Sequence, residues 1–374
     1  MKNLKKILLL ILVTSLFNRC TDHVDYEAIE GYQITSEIYF QQEADYDAAL
    51  VGTYDVLQWL FFNIQLGAIA SEITLCGGES ATDYIGIQQI DDMTHYPENN
   101  VLRQIWQFLY EGVNRANYME ENKANIDFEG KEAMYGEVYF LRAYYYFELV
   151  KFFGDVPLFT EARLTAGQAG TLTRTPKDEV YAQIELDLQN AIASLPNSQS
   201  QVGRVNKYTA YALLGKVLLY QDKFAEAASA LDNVIGVYSL VSDYGSQFLR
   251  FGENGPESVF EIQYSNQSNW YDWGCAHCSE GNYAIIMNGP RGWSGPEYAQ
   301  GWSFNVPTEE FYNSFEEGDS RRDATVLDIE AFAAATGASY TEGYDHTGYF
   351  NNKYIPRAGE SGGQTELNYL TNFR

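Results

Sequence analysis

Basic residues are scarce in this chain: 24 Lys and Arg stand against 51 Asp and Glu, a formal charge of -27. Such a balance repels phosphate backbones and anionic lipid surfaces, which argues against nucleic-acid binding. Histidine is rarer still, with His23, His95, His277 and His346 scattered and in no metal-ligand spacing such as His-Glu-x-x-His. Cysteine is limited to Cys20, Cys76, Cys275 and Cys278. The run Cys275-Ala-His-Cys278 has no second cysteine pair to complete a four-ligand zinc site, and His277 lies between the cysteines instead of after the second, which excludes a haem attachment. A local disulfide is the expectation there, and no metal or other cofactor is expected anywhere. Also missing are a Gly-x-Ser-x-Gly elbow, a phosphate-binding glycine loop and a dinucleotide fingerprint, so no catalytic residue is assigned. Paired carboxylates for glycoside hydrolysis are not identifiable among 51 acids, because only their separation in space marks them. Beyond residue 20 no stretch is long and apolar enough to cross a bilayer.

What is present begins at the N-terminus. Lys2, Lys5 and Lys6 precede an uncharged run from Ile7 to Phe17 that is too short to span a membrane, the pattern of an export signal. The run breaks at Asn18 and Arg19 and meets Cys20, where a bacterial lipoprotein signal is cut and the new N-terminal cysteine acylated. We expect residues 1–19 to be the signal, Cys20 the lipid anchor and 20–40 a tether. Arg19 stands where a small residue is usual, so an ordinary signal peptide with a stray cysteine is the competing reading.

Helical periodicity dominates the middle of the chain. Ala49, Tyr54, Leu57 and Leu60 recur at helical spacing between Asp45 and Phe62, and a second such pattern runs from Leu102 to about Tyr118. Between them, Leu75 to His95 reads as a long loop holding Gly77, Gly78 and Gly86 with Asp83, Asp91 and Asp92. The strongest helix is expected over Lys131 to Phe153, stopped by Gly154 and Pro157 and buried on most sides. Another opens with Thr175 as N-cap and Pro176 at the first helical position, with Val180, Ile184, Leu188 and Ala191 facing inward. Tyr211, Leu214, Gly215, Leu218, Ala227 and Leu231 then meet the tetratricopeptide pattern in register, a packing requirement of two close antiparallel helices.

After Tyr238 the character changes. Phe260, Ile262 and Tyr264 alternate with Glu261 and Gln263 as in a short strand over 259–264, and the rest is rich in glycine and aromatics. An α-helical scaffold with an irregular, loop-rich second lobe over about 239–374 follows. Asp319, Arg321, Arg322 and Asp323 read as a structural ion-pair network.

Taken together, Tyr139-Phe-Leu-Arg-Ala-Tyr-Tyr-Tyr-Phe-Glu-Leu-Val-Lys-Phe-Phe-Gly-Asp-Val-Pro157, Val180-Tyr-Ala-Gln-Ile-Glu-Leu-Asp-Leu188, Gly203-Arg204 ahead of Leu213-Leu-Gly-Lys-Val217, Glu257-Ser-Val-Phe-Glu-Ile-Gln-Tyr264 and Pro307-Thr308 leading to Asp319-Ser-Arg-Arg322 closely resemble the SusD/RagB family of nutrient-binding outer-membrane lipoproteins. The resemblance implies an all-α, tetratricopeptide-like scaffold over 41–374 whose loop-rich lobe contains a few short strands and carries the ligand. It further implies an outer-leaflet lipid anchor facing the exterior and a partner, a SusC-like TonB-dependent transporter. The ligand it implies is a glycan, or a peptide in some members. The family normally continues beyond Tyr369-Leu-Thr-Asn-Phe-Arg374 into another helix pair, so a C-terminal truncation is expected.

Two groups of candidate ligand residues follow. Trp270, Trp273, Trp293 and Trp302 fall within 33 residues, and loops have little core to fill; indole faces suit the C–H faces of sugar rings. Trp270, Trp273 and Trp293 are the expected platforms, against the alternative that such rings pin a loop to the helical lobe. The resemblance points to polar contacts in the Gly77 to Tyr84 segment, where Glu79 and Asp83 would accept hydrogen bonds from sugar hydroxyls and Tyr84 would stack; an acidic loop on so acidic a protein is alternatively just solvated. A surface glycoside hydrolase and a pure scaffold for the transporter are the other readings of the whole chain.

Overall fold

The computed structural model describes residues 39–60, 62–264, 281–358 and 370–373. The export signal, Cys20 and its tether, Trp270, Trp273, Cys275 and Cys278 lie outside the described residues.

The scaffold is a series of helices: α1 (Glu43–Asp55), α2 (Phe62–Ile69), α3 (Ile85–Asp91), α4 (Asn100–Glu121), α5 (Lys131–Phe153), α6 (Lys177–Ser194), α7 (Lys207–Leu219) and α8 (Phe224–Leu231). Its axis is α5, which packs along both α4 and α6. It is covered on most sides, because Tyr135, Val138 and the run from Phe140 to Val150 are all buried. Gly130 (φ 84°) and Gly154 (φ 67°) bound it with left-handed backbone, and Gly154 N–H donates to Val150 O at 3.1 Å. Inside this layer Arg142 meets Asp187 of α6 through two 2.8 Å bonds, and its remaining donors go to Asn117 Oδ1 and Thr160 O.

The start of α6 differs from the sequence expectation. Thr175 is held extended by an antiparallel bridge to Val156, with N–H to O distances of 2.9 and 3.2 Å, so it does not cap. Pro176 stands at the N-cap with ψ 137°, and the first helical N–H, that of Lys177, is satisfied by Asp155 Oδ1 at 2.9 Å. The cap therefore comes from across the bridge and not from the residue next in sequence.

The tetratricopeptide register holds. A side chain at Gly215 of α7 would stand 2.5 Å from Leu231 Cγ of α8, so glycine there sets the approach of the two helices. Arg204, at the turn before α7, pairs with Asp47 at 2.8 Å and reaches Glu137 at 3.5 Å, tying α1, α5 and α7.

The second lobe is built from short pieces. Strand β1 (Thr74–Gly77) pairs antiparallel with β3 (Phe304–Pro307), β2 (Phe260–Ile262) with β6 (Leu370–Phe373), and β4 (Val326–Asp328) with β5 (Tyr349–Asn351). The expected long loop after Leu75 thus contains a strand and the short helix α3. Gly86 lets α3 sit against Asn100 and Val101, whose side chains a Cβ would overlap. In β2, Glu261 is buried along with Phe260 and Ile262, although alternation placed it outward; its Oε2 accepts from Asn254 N–H at 2.8 Å. A small second core gathers Tyr298, Leu327, Ile329, Phe350 and Ile355. Among the described residues no helix is long and apolar enough to cross a membrane.

Candidate functional site

The segment after β1 forms a tight turn on the lobe surface. Gly77 (φ 66°) and Gly78 (φ 101°) adopt left-handed backbone, and a Cβ at Gly77 would overlap the Ser303 carbonyl. Gly78 N–H donates to Ser303 O at 2.7 Å, and Gly78 O accepts from Tyr344 N–H at 2.9 Å. Gln88 Nε2 donates to Gly77 O at 2.6 Å from below. Three distant stretches, 77–84, 303–304 and 343–345, are thereby stitched together.

Within the turn, Asp83 Oδ2 accepts from Glu79 N–H at 2.8 Å, and Asp83 N–H donates to Ser80 O at 2.9 Å. Glu79 is exposed and Asp83 half-buried. One cation serves both acids: Arg291 lies 3.5 Å from Glu79 Oε2 and 3.4 Å from Asp83 Oδ2, and its Nη2 donates to Trp302 O at 3.1 Å. Tyr84, with φ 51°, turns its half-buried ring toward Phe304, the centroids 6.5 Å apart and edge to face. Burial pushes its hydroxyl well above the ordinary phenol range, so Tyr84 stays neutral.

Acidic groups ring the base of the turn. Asp91 Oδ2 accepts from Cys76 N–H at 2.7 Å, and burial followed by repulsion from Asp92 and Asp345 raises the Asp91 carboxyl above its ordinary value. The thiol of Cys76 is likewise pushed up, first by burial and then by the carboxylates of Asp91, Asp83, Asp345 and Asp92. A thiol held protonated is a poor nucleophile and metal ligand. Among the described residues no group of three or more His, Cys, Asp or Glu is arranged to hold a metal ion.

Trp293 lies in the same lobe and is half-buried. It packs edge to face on Tyr298 at 5.8 Å and tilted on Phe332 at 5.9 Å, flanking the small second core. Tyr344, beside the turn, is exposed, a surface ring that the sequence pattern did not single out. Arg291 was missed as well. Its only sequence signal was a positive charge in an acidic chain, because Asp83 lies 208 positions away. The charge cluster at 319–323 resolves into local pairs, Arg321 with Asp319 at 2.7 Å and Arg322 with Asp323 at 2.9 Å, and Arg321 holds the Asp319 carboxyl down at about 2. A cleft of about 620 Å³ opens between Gln58, Arg204 and strand β2, and one of about 470 Å³ opens over Arg142 on the helical lobe; none of the candidate residues lines either.

Stacked helix pairs carrying a stitched, acidic turn on an irregular lobe define a helical-repeat binding protein. A family model described as "Starch-binding associating with outer membrane" matches residues 71–219. A laminarin-binding SusD-like protein of known structure is 35% identical and superposes with a TM-score of 0.80, covering 90% of this chain and 77% of that one. The surface glycan-binding protein A of Bacteroides thetaiotaomicron, solved in complex with laminarihexaose, is 25% identical with a TM-score of 0.77 over 87% of this chain and 74% of that one. SusD-like protein P2 of Formosa agariphila is 29% identical over 361 residues, which is 90% of this chain and 69% of that protein. The chain belongs to the SusD-like family.

Proposed function

We propose that the protein is an outer-membrane lipoprotein that captures a glycan at the cell surface and passes it, chemically unchanged, to a SusC-like TonB-dependent transporter. The observation that carries this reading is the likeness over 90% of the chain to a solved laminarin-binding relative. The site chemistry agrees with it. Asp83 uses Oδ2 inside the turn, and Oδ1 accepts no hydrogen bond among the described residues, which leaves an oriented acceptor for a sugar hydroxyl. The exposed ring of Tyr344 beside it offers an apolar face to the C–H side of a pyranose. Trp270, Trp273 and the exposed part of Trp293 would extend that platform, and Cys20 would carry the lipid.

Isothermal titration of the mature protein with laminarin, other neutral glycans and peptides tests the capture. Saturable binding to a glycan, weakened by Trp270→Ala, Trp273→Ala or Trp293→Ala and leaving the ligand intact, is the expected result. Failure to bind anything in that panel rejects glycan capture, and release of new reducing ends rejects the non-enzymatic part. Metabolic labelling with a fatty-acid analogue, expected to be lost in Cys20→Ala, checks the anchor.

A further inference from the structure

We infer that Arg291 is a positioning residue for this site: it holds the Glu79 and Asp83 carboxylates at the angle in which one Asp83 oxygen meets the ligand. The inference rests on the reading that the 77–84 turn faces a glycan. Its basis is the division of labour among atoms. Asp83 Oδ2 is occupied by Glu79 N–H at 2.8 Å and by the Arg291 guanidinium at 3.4 Å, so rotation of the carboxylate that would hide Oδ1 breaks two contacts at once. The guanidinium itself starts from a fixed point. Arg291 N–H donates to Ser303 Oγ at 2.9 Å, Arg291 O accepts from Thr341 N–H at 2.8 Å, and Nη2 donates to Trp302 O at 3.1 Å.

Two further observations separate this role from plain stabilisation. Arg291 Nε is buried with no hydrogen-bond partner, so the side chain forgoes a bond in order to reach the turn. The pair with Glu79 is long, and the Glu79 side chain is 72% exposed, a geometry from which little folding stability is expected. Opposed to that is a local excess of negative charge: Asp91, Asp92 and Asp345 lie near the same turn, and without Arg291 they repel Glu79 and Asp83 outward.

The test compares wild type, Arg291→Ala, Arg291→Lys, Asp83→Asn and the Arg291→Ala/Asp83→Asn double variant of the full mature chain, with laminarihexaose as the probe. Loss of one charge-assisted contact predicts that Arg291→Ala binds about tenfold more weakly, that Arg291→Lys recovers part of the loss, and that the double variant is no weaker than the worse single one. Wild-type affinity in Arg291→Ala alongside a lowered melting temperature, or additive losses in the double variant, would overturn the positioning role. Amide hydrogen exchange at Glu79, read without ligand, gives a second readout: faster exchange in Arg291→Ala supports the role, and unchanged exchange rejects it. A wild-type protein that binds no glycan rejects the functional reading, while the exchange result still decides whether Arg291 orders the turn.

Discussion

Single positions in this fold are tight where a helix glycine faces a buried aromatic ring. A Cβ at Gly112 of α4 would stand 2.5 Å from the Tyr145 ring of α5, and that ring cannot retreat, because Tyr145 is fully buried and its hydroxyl donates to Thr53 O at 2.6 Å. Gly112→Ala is therefore expected to lose about 1–3 kcal/mol in urea unfolding, as overpacked cores do. Gly67 is the opposite case. Nothing lies within 4 Å of its added Cβ in α2, so Gly67→Ala should gain up to about 1 kcal/mol in the same experiment. Titration gives a third expectation at this scale. Burial and then repulsion from Asp92 raise the Asp345 carboxyl above its ordinary value of 3.8. A carboxyl raised on folding contributes most below its unfolded pKa, and the contribution is lost as pH rises through the folded value. Thermal melts should show Asp345→Asn more stable than wild type at pH 7, with the gain shrinking toward pH 4; a gain independent of pH would contradict this origin. None of these neighbours was visible in the sequence, because Gly112 and Tyr145, or Asp92 and Asp345, meet only after folding.

Elements were more legible than the contacts between them. The bounds of α5 were readable because its apolar residues recur at helical spacing up to the stop at Gly154 and Pro157, and the pairing of α7 with α8 followed from the small residues at 215 and 227. The elements β1 and α3 were read as loop. Four and seven residues are too few for periodicity to register, and the partner of β1 lies at Phe304–Pro307. The start of α6 was misassigned by one residue for a related reason: the bridge to Val156 overrides the local preference of Thr175, and the cap arrives from Asp155. Asp155→Ala should accordingly lower stability by about 1 kcal/mol in chemical unfolding, the usual effect of losing a cap, whereas Thr175→Ala should change it less. Equal losses in the two variants would restore Thr175 as the cap.

At the scale of the whole molecule the net charge carries a prediction of its own. A formal charge of -27 makes the folded chain repel itself, and salt shortens the range of that repulsion to about 10 Å at 0.1 M. The melting temperature should therefore climb between about 0.02 and 0.3 M NaCl. A fall would mean that ion pairs such as Arg163 with Glu121, at 3.0 Å, outweigh the net repulsion.

The sequence alone determined the class of the fold, since helical periodicity and the tetratricopeptide register act over neighbouring residues, and its charge balance argued against a nucleic-acid partner without any coordinates. Only the tertiary structure decided how Glu79 and Asp83 are held, which of their oxygens are engaged, and that Arg291, Ser303 and Tyr344 belong beside them. Those groups come from stretches more than two hundred positions apart, and a hydrogen bond at 3 Å is a property of where the chain returns, which local pattern does not encode.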